Sequence, residues 1–365
     1  MPKGGSLAIS PVVDVEGKRL SLSNLDKVLY SSTGFTKGQV IDYYARIAPA
    51  LLPHLQGRPV TMKRYPDGVD SEYFYEKNAP KHRPEWVKTA PIWSRHNRRH
   101  INFLLVEDLP TLTWLANLAS LEIHPSLALA KDINCPTMMV FDLDPGAPAN
   151  IVQCCQVGLW LREIFAHWGL ECFPKTSGSK GLQVYVPLNT PTTYNVTKPF
   201  AQALARLLEH DHPELIVSDM KKEIRGGKVF VDWSQNDEHK TTVSVYSLRA
   251  REHPTVSTPV TWQEVERCVK KKDASLLVFE AAQVIERFEK MGDLHASVLE
   301  LKQKLPDVRG VAAAAPQPGT VDLAAAAEEE PPARSRTQMS APRRSSSAHK
   351  PAAKKSTKTR KRRTV

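Results

Sequence analysis

Two aspartates two positions apart form the part of the sequence best suited to metal chemistry. Asp142 and Asp144 follow the apolar run Met138–Val140, and Pro145 comes directly after them. Side chains two residues apart on a strand point to the same face, so both carboxylates are predicted to project together from the end of a buried strand. Clustered carboxylates are costly unless a cation or a donor neutralises them, and hard divalent cations prefer oxygen ligands. An acidic strand end with solvated or capping aspartates is the alternative interpretation.

A third carboxylate ends another strand-like segment further along the chain. Asp232 follows the apolar run Val229–Val231. Together with Asp142 and Asp144 it could bridge two cations, and a pair of cations can activate a hydroxyl nucleophile and stabilise a leaving pyrophosphate. The alternative interpretation of Asp232, taken alone, is an ordinary aspartate at the edge of a sheet.

Two further segments suit phosphate binding. The turn Thr176–Gly181 is rich in Ser and Gly, and its Lys180 adds a positive charge, so the turn can hold a triphosphate. It is not a Walker A loop, because a strand follows where a helix should. Arg249 and Arg251 alternate on a predicted strand, so their guanidiniums share a face and can bind phosphate oxygens. A polar hairpin turn and a solvated strand face are the alternatives for these two segments.

The rest of the body alternates between helical and strand-like periodicity. Thr36 and Gln39 form a capping-box pattern at the start of the first predicted helix. Predicted helices cover 36–52, 151–170, 197–215 and 274–292. Predicted strands cover 138–144, 182–188, 228–233 and 241–248. Interleaved helices and strands predict an α/β (α+β) fold in which helices flank a central sheet.

The positive charge of the chain is concentrated at its C-terminal end. Residues 331–365 hold twelve of the 50 Lys and Arg residues and no Asp or Glu, which leaves 38 basic and 39 acidic residues elsewhere. From 306 onwards Ala, Pro, Ser, Lys and Arg dominate, and such a composition cannot bury enough surface to fold. We therefore predict a catalytic domain over 1–305, with an N-terminal lobe to about 120 and a metal-bearing core over 121–305, and a disordered tail over 306–365. The basic tail either contacts nucleic acid phosphates or only aids solubility.

Composition argues against several other classes of protein. There is no run of 18 apolar residues to predict a membrane span, and the N-terminus lacks the regions of a signal peptide. The five cysteines include no Cys-x-x-Cys pair, which suits reduced thiols better than a disulfide framework or a zinc site. We therefore expect a cytoplasmic protein that does not bind membranes.

Taken together, the motifs resemble the polymerase domain of bacterial DNA ligase D, a branch of the archaeo-eukaryotic primase superfamily. The resemblance runs from about residue 15 to 300 and is carried by LSNLDKVLY, MKRYPDG, LEIHPS, FDLDP, TSGSKGLQVYVPL, VFVDWSQN and YSLRAREHP. Several motifs in one order are far more specific than any single motif. The resemblance implies a primase-polymerase-like core and a nucleotidyltransferase that fills gaps or extends DNA ends during non-homologous end joining.

The resemblance also implies roles for individual residues. Asp142, Asp144 and Asp232 would be the catalytic carboxylates that bind two divalent ions, Mn²⁺ or Mg²⁺. Nucleotide binding is implied for His124, Ser177, Lys180, Gln183, Gln235 and Arg249. A grip on a DNA 5′-phosphate is implied for Lys27 and Lys37, and contact with DNA, including base stacking, for Lys63, Phe74 and Tyr75. The implied partners are DNA ends, ribo- or deoxyribonucleoside triphosphates, the end-binding protein Ku and a separate DNA ligase, in the nucleoid region of a bacterial cytoplasm.

Simpler interpretations of several of these residues stay open. The alternative interpretation of Lys27 and Lys37 is that they are ordinary surface lysines. The alternative interpretation of His124 is that it is a structural histidine. Phe74 and Tyr75 are adjacent, so on a strand one side chain is expected to face the core and the other the solvent.

The sequence departs from the family pattern in two respects. Gln183 stands where many relatives carry a histidine, and a glutamine can hydrogen-bond a phosphate but cannot carry a charge. Neither a ligase region nor a phosphoesterase region is recognisable, so a stand-alone polymerase is expected. Two other functions remain open: a non-catalytic module that bridges DNA ends, which Gln183 favours, and a primase that starts chains without a primer.

Overall fold

Two five-stranded sheets organise the part of the chain that the structure describes, residues 11–94 and 97–306. The structure is a computed structural model. All of the described residues belong to one compact unit, whereas the predicted tail beyond residue 306 lies outside them. Mixed sheets and helices confirm the predicted α/β (α+β) fold class.

The bounds of the elements largely follow the predicted pattern. The helices are α1 (Lys37–Leu55), α2 (Leu109–Asn117), α3 (Ile151–His167), α4 (Tyr194–Asp211), α5 (Trp262–Lys271), α6 (Ala281–Met291) and α7 (Ser297–Glu300). The first strands are β1 (Val12–Val15), β2 (Lys18–Ser21), β3 (Val28–Tyr30), β4 (Phe35–Thr36), β5 (Val60–Arg64), β6 (Phe74–Glu76), β7 (Thr89–Ser94), β8 (Arg99–Leu104) and β9 (Ser120–Pro125). The later strands are β10 (Met138–Pro145), β11 (Phe173–Thr176), β12 (Leu182–Pro187), β13 (Ile216–Val217) and β14 (Val229–Asp232).

Two predicted elements differ from those observed. The predicted strand 241–248 is wrong: the segment is irregular, and its one ladder contact is a bridge from Leu248 to Val256. Tyr246 takes a left-handed φ of 63°, which a continuous strand does not allow. The predicted helix 274–292 is instead a short 3₁₀ turn, Ala274–Leu277, followed by α6.

The sheet that carries the three aspartates has the strand order β11-β12-β10-β14-β13, and every pair in it is antiparallel except β13 with β14. Alternate residues of β10 point to opposite faces. Phe141 and Leu143 pack into the cluster that joins the sheet to α3, α4 and α5. Val140 packs on the other face, and Asp142 and Asp144 follow it on that face. The buried β10 therefore presents both carboxylates together, as predicted.

The second sheet has the order β6-β5-β8-β7, and β9 also pairs with β5. Its core includes residues of α1, α2 and α6. The predicted capping box at the start of α1 forms, because Thr36 accepts from the backbone of Gln39 and Gln39 accepts from the backbone of Thr36. The predicted lobe boundary near 120 coincides with the start of β9, which completes this sheet, and the division into lobes stays a prediction.

No helix among the described residues is long and apolar enough to cross a membrane. The five cysteines are free thiols, and four of them are buried. Buried thiols at these positions act as small packing groups.

Candidate active site

A row of four polar residues crosses the sheet that carries the three aspartates. Lys175 on β11 lies opposite Gln183 on β12, Gln183 lies opposite Asp142 on β10, and Asp142 lies opposite Asp232 on β14. Directly opposed residues of antiparallel strands have neighbouring side chains on one face. The strand register therefore brings Asp232 beside Asp142, while Asp144 lies two residues further along β10.

The two middle residues of this row, Gln183 and Asp142, line a cavity of about 310 Å³. The predicted site residues that line it are Tyr75, His124, Asp142, Asp144, Ser177, Gln183, Gln235 and Arg249. Ser179, Thr241, Thr242, Val243 and Arg251 complete the lining. The cavity therefore joins β6 and β9 of one sheet to the carboxylates of the other, with the turn after β11 at its edge.

The other predicted site residues are not among those that line this cavity; they are Lys27, Lys37, Lys63, Phe74, Lys180 and Asp232. Lys180 is exposed and lines a neighbouring cavity of about 350 Å³ together with Ser179. Asp232 does not line the cavity, but it lies opposite Asp142 in the register of β14 with β10.

Asp142 is the most perturbed carboxylate of the site. Its Oδ1 is buried and has no hydrogen-bond partner among the described residues. Burial, and then the charges of Asp144 and Asp232, raise the pKa of Asp142 to about 8. An unsatisfied buried oxygen beside two more carboxylates is unfavourable for a protein alone, and a divalent cation at this point would relieve it.

Asp232, in contrast, has its own donors. Its Oδ1 accepts from the backbone N and the Oγ of Ser234, at 3.0 and 2.5 Å, and its Oδ2 accepts from Nε2 of Gln235 at 2.8 Å. Within residues 11–94 and 97–306, no group of three His, Cys, Asp or Glu side chains is already arranged as a metal site. Asp232 is turned toward Ser234 and Gln235 in this state.

The raised pKa of Asp142 predicts a pH dependence of stability. An unfolded aspartate titrates near pH 4, so between about pH 4 and 8 the folded protein holds a proton that the unfolded chain has lost. The free energy of unfolding should therefore fall as pH rises through that window when metal is absent. We expect the melting temperature in EDTA to drop more from about pH 5 to 8 in the wild type than in Asp142→Asn. Parallel curves for the two proteins would assign the titration to another group.

The Ser-Gly turn between β11 and β12 is held in one conformation. Ser177 Oγ accepts from the backbone N of Ser179 at 3.2 Å and of Gly181 at 3.1 Å. Gly178 has a φ of 65°, and a Cβ there would come within 2.5 Å of the backbone of Val256. The turn therefore needs glycine at 178, both for its conformation and for its close approach to residues 256–257.

Arg249 connects this turn to β9. Its guanidinium donates to the carbonyl oxygen of Ser177, and its Nε lies 3.4 Å from Oε1 of Glu122. No strand carries Arg249 and Arg251, contrary to prediction, yet both side chains line the cavity. The predicted shared position of the two arginines is therefore correct, although the element predicted to produce it is absent.

Glu122 is the site residue that sequence reasoning missed. It is only 2% exposed, and its Oε2 lies 2.9 Å from Nε2 of His124. Burial acts to raise the pKa of Glu122, but the hydrogen bond from His124 and the charge of Arg249 outweigh it and leave the pKa well below its usual range. Its position two residues before His124 on a strand, and so on the same face, was the available signal.

The lysines predicted to grip a 5′-phosphate are neighbours away from the cavity. The backbone N of Lys37 donates to the carbonyl oxygen of Lys27 at 2.8 Å. Lys27 pairs with Asp67 at 2.7 Å on the surface. Lys37 is 5% exposed and donates to the carbonyl oxygen of Ser23 at 2.6 Å. Burial, and then the cations Lys27 and Arg64, lower the pKa of Lys37 to about 8.

The residues predicted to stack on bases are both exposed. Phe74 and Tyr75 are 54% and 49% exposed, which corrects the expectation that one of them faces the core. β6 is a short edge strand that pairs only with β5, and both of its aromatic side chains are about half exposed. Lys63 lies beside them: its Nζ is 4.2 Å from the ring centroid of Tyr73 and 3.8 Å from Oε1 of Glu122.

Comparison with known proteins identifies the class. The family model described as "LigD, primase-polymerase domain" matches residues 36–295, which include both sheets and every residue of the cavity. This places the chain in the archaeo-eukaryotic primase superfamily. Within that class, the chain belongs to the LigD primase-polymerase family.

Individual relatives agree with this assignment. The multifunctional non-homologous end joining protein LigD of Mycolicibacterium smegmatis is 40% identical over 309 residues, which cover 83% of this chain and 40% of the relative. The bifunctional LigD of Bacillus subtilis is 33% identical over 275 residues, or 75% of this chain and 43% of the relative. The chain thus spans less than half the length of these relatives.

A solved structure matches the fold as well. The polymerase domain of Mycobacterium tuberculosis ligase D, determined in complex with DNA, superimposes with a TM-score of 0.71 at 38% identity. The match covers 77% of this chain and 98% of that domain.

Proposed function

We propose that this protein adds ribo- or deoxyribonucleotides to DNA 3′ ends, filling gaps at breaks during non-homologous end joining, by two-metal catalysis. The observation that carries the proposal is the buried Oδ1 of Asp142, which lies in an open cavity and has no hydrogen-bond partner in the described part of the chain. The names of the relatives support the pathway, and the DNA complex of the similar polymerase domain supports the substrate.

The carboxylates fit divalent cations, because they offer only hard oxygen donors and one of these is unsatisfied. Bound ions would supply the acidity that activates the primer hydroxyl and the charge that neutralises the triphosphate. Asp142 and Asp144 would hold them, and Asp232 would join after exchanging the donors Ser234 and Gln235. Manganese and magnesium both suit such a site.

The remaining cavity residues orient the nucleotide. Arg249 and Ser177 lie at one edge, where a guanidinium and a hydroxyl can bind phosphate oxygens, and Lys180 is exposed on the same turn. His124, Gln183 and Gln235 contribute further polar groups. In the reaction the primer 3′ oxygen bonds to the α-phosphorus, and the bond from that phosphorus to pyrophosphate breaks.

The DNA-facing part of the proposal uses Lys27 and Lys37 for a 5′-phosphate. Two lysines joined through their backbones, with Arg64 close enough to depress the pKa of Lys37, form a cation cluster that an anion would stabilise. The exposed pair of Lys27 with Asp67 is weak in water, so Lys27 can exchange Asp67 for a phosphate. Phe74 and Tyr75 offer exposed rings for base stacking.

Replacing Lys27 with Met should reduce the preference for a 5′-phosphate. We expect the ratio of affinities for gapped duplexes with a 5′-phosphate and with a 5′-hydroxyl to fall about tenfold, because one charge-assisted contact is worth roughly 1.5 kcal/mol. Fluorescence anisotropy measures both affinities. Lys18→Met, at an exposed lysine of β2, is the matched control and should leave the ratio unchanged. Equal ratios in all three proteins would refute the role of Lys27.

Extension of a labelled primer separates the alternatives. A gapped, 5′-phosphorylated duplex with Mn²⁺ and single nucleotides tests the proposed polymerase. An unprimed template tests for a primase that starts chains, and binding without addition would indicate the bridging module. Ku and a DNA ligase activity are the proposed partners in a bacterial cytoplasm, because the relatives are named as end-joining proteins.

A further inference from the structure

We propose that Glu122 is a positioning residue for nucleotide binding: its buried carboxylate fixes His124 and Arg249 in the places from which they meet the nucleotide. The inference rests on the proposed function of the cavity and adds a residue to it. Glu122 does not line the cavity itself, so it acts through the two side chains that do.

The two carboxylate oxygens of Glu122 hold two different parts of the chain. Oε2 lies 2.9 Å from Nε2 of His124 on the same strand. Oε1 accepts from the backbone N of Ala250 at 3.1 Å and lies 3.4 Å from Nε of Arg249. The segment that carries Arg249 is held by the bridge from Leu248 to Val256 and by the hydrogen bond from the backbone N of Arg249 to the carbonyl oxygen of Thr255 at 2.8 Å. The buried carboxylate adds a contact to the next residue, Ala250, and to the Arg249 side chain.

The bond to Glu122 determines how His124 is presented. A carboxylate only accepts hydrogen bonds, so Nε2 of His124 must carry the proton. Nδ1 is then the ring nitrogen left for a ligand, and the edge-on ring of Tyr75, 6.1 Å away between centroids, restricts rotation of the imidazole. A carboxylate behind a functional histidine commonly fixes both tautomer and orientation.

The guanidinium of Arg249 is held from two sides. Its Nε faces Glu122 and its Nη1 donates to the carbonyl oxygen of Ser177. These two contacts do not involve Nη2. Nε makes no well-aligned hydrogen bond among the described residues, so its attraction to Glu122 is mainly Coulombic. An arginine fixed in this way loses less side-chain entropy when it binds a phosphate.

Two cations share the charge of Glu122. Its buried carboxylate faces Arg249 at 3.4 Å and Lys63 at 3.8 Å. Of these two cations, Arg249 also lines the cavity that is proposed to receive a triphosphate. Loss of the Glu122 charge would therefore change how that guanidinium is held.

The test is the nucleotide KM of Glu122→Gln, measured in single-nucleotide addition to a gapped duplex. Glutamine keeps the shape but loses the charge and one acceptor, so we expect KM to rise about tenfold with DNA affinity unchanged. Glu264→Gln is the matched control, since Glu264 forms a similarly part-buried pair with Arg287 at 2.7 Å away from the cavity. It should lower the melting temperature without changing KM.

A double-mutant cycle gives the sharper readout. In an Arg249→Lys background, Glu122→Gln should raise KM by less than about threefold. The guanidinium that Glu122 holds in place is already absent from that background. Additive effects, or a Glu122→Gln variant whose only change is a lower melting temperature, would overturn the inference. If Glu122→Gln does not fold, Glu122→Asp, which keeps the charge but shortens the reach, should show the same rise in KM. Absence of any addition by the wild type would count against the proposed function and not against Glu122 alone.

Discussion

Asp142→Asn should reduce nucleotide addition by at least about a thousandfold and leave the affinity for gapped DNA unchanged. Asparagine keeps the shape of the side chain but removes one charge from the proposed ion site, and metal ions contribute several kcal/mol to such a transfer. Because Asp142 is repelled by Asp144 and Asp232 in the metal-free protein, the variant should also melt at a higher temperature than the wild type near pH 8. Loss of activity together with gain of stability is the signature of a functional residue.

The matched control for this substitution is Asp108→Asn. Asp108 caps α2 by accepting from the backbone of Thr111 at 2.8 Å, and asparagine is an equally good cap. Its activity and stability should stay close to wild type. Addition by Asp142→Asn within tenfold of the wild-type rate would remove this carboxylate from the catalytic site.

Arg249→Lys should lower kcat/KM for the incoming nucleotide by about 50-fold. Lysine keeps the charge that balances Glu122, so the fold is preserved, but it cannot reach Glu122, Ser177 and a phosphate at once as a guanidinium does. The loss should fall mainly on KM if the contact is made equally in the ground state and the transition state. Steady-state kinetics on a gapped duplex measure both parameters.

Arg287→Lys is the control for that change. Arg287 forms two hydrogen bonds with the carboxylate of Glu264, at 2.7 and 3.0 Å, and lies away from the cavity. The Arg287→Lys variant should have a lower free energy of unfolding and an unchanged nucleotide affinity. Equal kinetic losses in both variants would mean that the effect of Arg249 comes from general loosening of the fold.

Strand β10 and the position of its two aspartates were predictable because the pattern that indicates them is local. Spacing alone placed Asp142 and Asp144 on one face, and the buried run before them indicated a strand covered on both sides. The turn at 176–181 was equally clear, because Ser and Gly concentrate there and an apolar strand follows. The resemblance to the family supplied the residues whose contacts are distant in sequence.

What the sequence could not show depends on register and on irregular backbone. The direct pairing of Asp142 with Asp232 follows from strand order, which no local pattern encodes. The segment 241–248 has the composition of a strand but turns at Tyr246, whose φ of 63° is imposed by tertiary packing. Glu122 was overlooked because a buried carboxylate has meaning only once Arg249 and His124 are known to surround it.

Gln183 is the feature that most distinguishes this site from the pattern expected of its relatives. It lies in the row between Lys175 and Asp142, is 2% exposed, and its Oε1 has no partner among the described residues. Its Nε2 lies 3.3 Å from Oγ1 of Thr242. A neutral amide here adds no positive charge of its own beside the carboxylates.

The most direct test of the central claim is primer extension on a gapped, 5′-phosphorylated DNA duplex with Mn²⁺ and a single ribo- or deoxyribonucleotide. The carboxylate cavity predicts addition of one nucleotide that requires the metal, is lost in Asp142→Asn, and is weaker when the 5′-phosphate is replaced by a hydroxyl. Tight binding to the same duplex without addition, under Mn²⁺ or Mg²⁺, would contradict the polymerase and make a DNA-bridging module the better account.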